Sequence, residues 1–278
     1  MQAFDTSAPE PNQPYPDKSR SLNHDHPGRT ATPPWVALAF ALAAAMLFNL
    51  SSVWALLFLS NVDVGLSTID APMRGALATA FTIDLLLLAG FGLHHSVMAR
   101  PRMRAVVARW IGPLMERPFY ILCSAGALMA IMALWQPIPV TLWHVTGEPA
   151  RSALWVLYGF GWLLVVAALN AIDQWSFLGL RQAVAALRGT ASAPTPFMLP
   201  WLYRVVRHPM YFGLIIAFWA TPEMTAGHAL YAAGMTLYIL IGVQFEERGL
   251  VASFGAAYRD YQRRVPMLLP WRRMITPA

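Results

Sequence analysis

Six apolar segments, divided by connections alternately rich and poor in arginine, limit what this chain can become. A helix needs about 20 mainly apolar residues to cross the hydrocarbon core of a bilayer. Four stretches meet that need: Trp35 to Ser60, which has no charged residue, about Leu77 to Met98, Phe119 to Gln136, and about Ser152 to Ala171. Two further pieces, Pro209 to Thr221 and about Ala226 to Gln244, are divided at Pro222, where a helix breaks. The first of these is short for a full span. In lipid every backbone amide needs an internal partner, so such segments fold as helices. The expected fold is an all-α polytopic membrane bundle of about six segments, ending in a helical hairpin.

The charges support this map. Only 12% of the 278 residues are charged and 57% are hydrophobic, against about 25% charged in soluble domains. The net charge of +6 comes from nineteen arginines and one lysine, Lys18. Arg100 to Arg117 holds five arginines, and Arg181, Arg188, Arg204 and Arg207 precede the hairpin. Six more lie beyond Gln244, whereas the alternate connections carry only Arg74 and Arg151. By the positive-inside rule both termini are expected in the cytoplasm. Arginines spread this way are the ordinary pattern of a protein whose partner is membrane lipid, and they argue against a nucleic-acid partner. Residues 1–34 are polar and rich in proline, and are expected to form a disordered cytoplasmic tail. Residues 35–278 are expected to be a single membrane domain, whose first segment is retained rather than cleaved. Cys123 is the only cysteine, so no internal disulfide forms and no cysteine-based metal site exists.

Ionisable groups beside apolar segments are costly and therefore informative. Asp84 is expected to pair inside the bundle. His94 and His95 point about 100° apart on a helix, which makes them poor joint metal ligands. Asn170 and Asp173 flank the end of the fourth segment, where capping and function are equally open. The sharpest cluster is "RVVRHPMYFG", Arg204 to Gly213. Arg207 and His208 precede Pro209, a residue suited to the first helical turn. A helix start favours anions, and Arg207 adds a planar donor fork. Tyr211 brings a hydroxyl, and Arg204 is expected to anchor at the lipid surface. In "QFEERGL", Glu246 and Glu247 are read at the end of the last segment, where the helix dipole disfavours anions. A cation is expected beside them: Arg207, Arg248 or a ligand ammonium. Together these pieces suit an amino-acid-like ligand, although ion pairing between the helix ends would gather the same residues. No dinucleotide, phosphate-loop or zinc-protease motif occurs.

"RHPMY" is followed by the hairpin and then by "EERGLVASFGAAYRDYQRRVP". Arg207, His208, Pro209, Tyr211, Glu246, Glu247, Leu250, Phe254, Gly255, Tyr258, Tyr261, Val265 and Pro266 thereby resemble the signature of the isoprenylcysteine carboxyl methyltransferase-like membrane superfamily. "GFGLHHSVMARPRMR", "ERPFYILCSAGALMAIMALWQPIP", "FLGLRQ" and "AFWATPEMTAGHALYAAGMTLYILIGVQFEER" resemble the methanethiol S-methyltransferases, from about Leu50 onward. NnrU-like proteins share part of the N-terminal half. Trp201 stands where the pattern has glycine. The resemblance implies methylation of methanethiol to dimethyl sulfide by S-adenosylmethionine, at a bacterial cytoplasmic membrane. It implies a cofactor site within about residues 200–270 that faces the cytoplasm. Tyr203, His208, Pro209, Tyr211, Glu246 and Glu247 would bind the cofactor. Arg207 would stabilise thiolate character, Glu247 would act beside it, and Asp173, His95 or water would take the proton. No metal is required. Methylation of an isoprenylcysteine carboxylate, another thiol or a lipid amine stays open, as does a non-enzymatic NnrU-like accessory or transport role.

Overall fold

The computed structural model describes residues 32–190 and 200–270. The expected disordered tail up to residue 31 lies outside the described residues, as do residues 191–199 and 271–278. The first helices are α1 (Pro34–Leu59), α2 (Leu77–Met98), α3 (Pro101–Ile111), α4 (Pro113–Leu134) and α5 (Glu148–Ala171). They are followed by α6 (Gln174–Phe177), α7 (Leu180–Leu187), α8 (Pro209–Trp219), α9 (Ala226–Phe254) and α10 (Ala256–Arg264). A tight turn, Trp201–Arg204, precedes α8. Two strands, β1 (Thr141–His144) and β2 (Glu223–Thr225), pair antiparallel.

Among the described residues five helices, α1, α2, α4, α5 and α9, are long and apolar enough to cross a bilayer, and α8 is a shorter apolar helix. The chain is thus the expected all-α polytopic membrane bundle. Three boundaries differ from the sequence reading. α4 begins at Pro113 and carries Pro118 within it, because a proline near a helix start removes few amide bonds. α8 has 11 residues, roughly 16 Å of helix. The chain continues beyond it as extended backbone, whose polar groups find protein partners. Thr221 O accepts from the Trp143 indole, and Pro222 O accepts from the Val145 amide. Ala220, Thr221 and Pro222 are all buried. Non-helical backbone at such depth persists only when shielded in this way. Lastly, α9 runs on to Phe254, so Glu246 and Glu247 lie about two turns inside the helix rather than at its end.

The bundle has two distinct ends. At the end without the arginine cluster, Phe58, Trp135, Phe218 and Tyr231 interlock in edge-to-face and tilted contacts, with centroids 5.6 to 6.3 Å apart. There Asp84 accepts from the Gln136 amide at 2.8 Å, and Asp70 joins Thr225, Asn61 and His228 beneath the β-ribbon. At the arginine-rich end, Thr32 donates to Ile111 O, and Arg117 donates to Phe177 O. Arg100 lies over the Phe245 ring, 4.4 Å from its centroid. α5 and α8 cross in near backbone contact: a Cβ on Gly213 would stand 2.6 Å from Gly161 O, and one on Gly161 2.7 Å from Gly213 O. That approach fixes where α8 begins, and with it the basic strip.

Candidate active site

The strip and the two glutamates meet. Arg207 Nε donates to Glu247 Oε1 at 2.6 Å. Its Nη1 donates to the carbonyls of Gln262 at 3.1 Å and Val265 at 2.6 Å. Gln262 Nε2 donates to Glu247 Oε2 at 2.9 Å. His208 Nε2 lies 3.1 Å from Glu247 Oε1. Glu247 therefore has three side-chain partners, and its side chain is only 11% exposed. The amides of Arg207 and His208 donate to Pro266 O and Met267 O, which stitches the residues after α10 across the start of α8. The helix start accordingly offers a ligand fewer donors than its sequence implies.

Glu246 is placed differently. Its side chain is 45% exposed, and its hydrogen-bond partner is the Tyr211 hydroxyl at 2.9 Å. His208 Nδ1 stands 4.0 Å away, and the His208 ring stacks on Tyr211. One helix position thus holds an internally neutralised carboxylate, and the next holds a carboxylate with room for a ligand cation. The two point apart because successive residues on a helix diverge by about 100°.

A cavity of about 630 Å³ adjoins Arg207 and Glu247. Its walls are largely apolar, formed by Phe212 and Ile215 of α8, Leu240 of α9 and Pro266 to Leu269, with Gln244 as a further polar group. This volume falls within the usual range of small-molecule sites. Tyr203 lies in the tight turn before α8. Burial and the nearby Glu246 charge push its hydroxyl up to about 12, so it stays protonated as a donor. Its carbonyl accepts from the Tyr261 hydroxyl at 2.5 Å. Tyr258 and Tyr261 are likewise pushed up by burial.

The structure brings together Arg207, His208, Tyr211, Glu246 and Glu247, with Tyr203 beside them and Pro209 at the first position of α8. Asp173 is engaged elsewhere: it caps α6 by accepting from Ser176 and pairs with Arg181 at 3.0 Å. His95 sits one helix away, with Nε2 2.6 Å from the Tyr120 hydroxyl. Trp201 is 67% exposed and has no positive φ, so its bulk does not obstruct the strip. Sequence reasoning did not single out Gln262, Tyr120 or Tyr238. Gln262 lies within the stretch that carries the tyrosines of the C-terminal signature, a signal that could have marked it.

The comparisons with known proteins agree in one direction. The chain is 43% identical over 236 residues to methanethiol S-methyltransferase 2 of Bradyrhizobium diazoefficiens, covering 84% of this chain and 89% of that protein. It is 39% identical over 237 residues to methanethiol S-methyltransferase of Mycobacterium tuberculosis, covering 85% and 97%. Human nurim is 32% identical over 176 residues, covering 60% of this chain and 66% of nurim. No protein-family model matches the chain, and no solved structure matches it.

Proposed function

Because this chain belongs to the methanethiol S-methyltransferase family, we propose that it methylates methanethiol to dimethyl sulfide with S-adenosylmethionine, at the cytoplasmic face of a bacterial inner membrane. The observation that carries the reading is the division of labour between adjacent glutamates. Glu247 is neutralised by Arg207, His208 and Gln262, whereas Glu246 faces outward with a tyrosine hydroxyl as its partner. A half-exposed carboxylate beside aromatic rings suits a ligand that carries ammonium and sulfonium charge. The adjoining cavity of about 630 Å³ has largely apolar walls with Arg207, Gln244 and Glu247 among its lining, which suit an adenosine.

When bound, S-adenosylmethionine supplies a methyl group already activated on a sulfonium. Glu246 would hold the ammonium and, with Tyr211, fix the orientation of the amino-acid end. His208, packed flat on Tyr211, and the Tyr203 hydroxyl complete that side. The Arg207–Glu247 pair holds α8, α9 and the post-α10 segment in register, which keeps the two halves of the site at a fixed separation. Orientation of this kind is a large part of catalysis when two reactants must align. Methanethiol is small and apolar, so it reaches the site from lipid without a wide groove.

The test is a substrate panel on purified protein, with binding of S-adenosylmethionine followed by calorimetry. Binding together with methyl transfer to methanethiol, in preference to an isoprenylcysteine carboxylate or a lipid amine, is expected. Failure to bind the cofactor would return the chain to a non-enzymatic reading.

A further inference from the structure

On the Glu246 side of the site, three helices outside the basic strip converge. His95 and Phe91 come from α2, Tyr120 from α4 and Tyr238 from α9. The His95 ring lies 5.1 Å from Tyr120, 5.9 Å from Tyr238 and 5.5 Å from Phe91, centroid to centroid. Tyr238 also meets Phe91 edge to face at 5.6 Å. Gly92 lets Tyr238 approach, since a Cβ there would be 3.3 Å from its ring. Tyr238 lies about two turns before Glu246 on the same helix, α9. His95 Nδ1 is buried and has no hydrogen-bond partner. A neutral imidazole with its proton on that nitrogen leaves Nε2 as an acceptor, 2.6 Å from the Tyr120 oxygen. The Tyr120 proton then points at His95, and the lone pairs of its oxygen face away from the imidazole.

We propose that Tyr120, backed by His95, takes the proton from the thiol substrate, and that Phe91 and Tyr238 wall the pocket in which the thiol sits. The inference rests on the methyl-transfer reading above. Aromatic walls suit sulfur, which makes favourable contacts with ring edges and faces. The thiol passes its S–H proton to Tyr120 Oη as the Tyr120 proton moves to His95 Nε2. The thiol sulfur forms a bond to the donor methyl, and the bond from that methyl to the sulfonium breaks. The electron pair stays on the former sulfonium sulfur, now a neutral thioether. One positive charge exists before the step, on sulfonium, and one after it, on imidazolium. The ammonium beside Glu246 is unchanged by the step, and no additional charge is created in the low-dielectric site. His95 then releases its proton to water at the arginine-rich end. A group of this kind lets a neutral thiol react at a pH where little of it is ionised.

The other ionisable groups around the pair are His94 on α2, Tyr211, Tyr238 and Glu246, and Arg117 with the Arg104–Glu116 ion pair. Tyr120→Phe and His95→Gln remove the relay without altering these. The expected result is S-adenosylhomocysteine affinity within about twofold of the parent by calorimetry, with single-turnover methyl transfer about 100-fold slower at pH 7. As pH rises, thiolate forms unaided, so the deficit shrinks about tenfold per unit and nearly closes two units higher. A deficit that stays constant with pH, or no deficit, overturns the proposal. So does loss of S-adenosylhomocysteine binding in both variants, because the pair would then be structural. A parent protein that binds S-adenosylhomocysteine yet transfers no methyl to methanethiol sinks the reaction assignment itself.

Discussion

Glu246 and Glu247 are adjacent in sequence, and the structure gives them unlike surroundings. Glu247 sits between a guanidinium, an imidazole and an amide, so its removal would strand Arg207 with a buried, uncompensated charge. Breaking a buried pair from one side costs about 3–5 kcal/mol. Glu247→Gln is therefore expected to lower thermal stability strongly in detergent, with loss of cofactor affinity following from the loosened α8–α9 junction. Glu246→Gln is expected to leave unfolding within a few degrees of the parent and to weaken S-adenosylmethionine binding about 10- to 100-fold, as for one charge-assisted bond. Calorimetry alongside a thermal melt separates the two. Equal effects on both measurements would mean that the carboxylates share one role. The sequence disclosed that Arg207, His208, Tyr211 and the glutamates belong together, because each is a costly group beside an apolar run. It did not disclose which glutamate is satisfied internally. That depends on Gln262, which reaches Glu247 only because α10 folds back.

At the scale of elements, the site depends on where α8 is held. Its crossing with α5 relies on two glycines whose backbones nearly touch. Gly213→Val is expected to push α8 off α5 and cost about 1–3 kcal/mol, as overpacking does. It should also reduce cofactor affinity although Gly213 touches neither glutamate. A melt and a binding isotherm on one sample check this. The opposite end is set by the β-ribbon. Burial pushes the Asp70 carboxyl up, but the His228 imidazole 3.9 Å away and hydrogen bonds from Thr225 and Asn61 outweigh it and hold the group below its ordinary range. A depressed carboxyl stabilises the fold above its unfolded value of about 3.9 and loses that contribution as pH falls through the folded value. Acidification below about pH 4 should loosen the ribbon, seen as Trp143 fluorescence or protease sensitivity, and Asp70→Asn should flatten that response. The short strands were not legible beforehand, because isolated apolar dipeptides carry no period. The late start placed on α4 and the early end placed on α9 have a related cause: polar residues that border an apolar run still belong to the helix when neighbours satisfy them.

For the whole molecule, we propose from the arginines gathered at one end of the bundle that this end faces the cytoplasm. With Cys123 replaced by alanine, Asp63→Cys should react with a membrane-impermeant maleimide on intact cells. Arg102→Cys should react only after permeabilisation. The reverse pattern would put the site outside the cell and away from its cofactor supply. The overall fold was legible in the sequence because lipid leaves few choices for apolar runs of this length. The Tyr120–His95–Tyr238 convergence was not, because it joins three helices that no spacing rule relates. The central claim meets its most direct test in a sealed vial that holds purified protein, methanethiol and S-adenosylmethionine labelled with a deuterated methyl group. Headspace gas chromatography with mass detection should find dimethyl sulfide carrying one labelled methyl and one unlabelled, in amounts that grow with protein. Protein that binds the cofactor and yields no labelled dimethyl sulfide would contradict it.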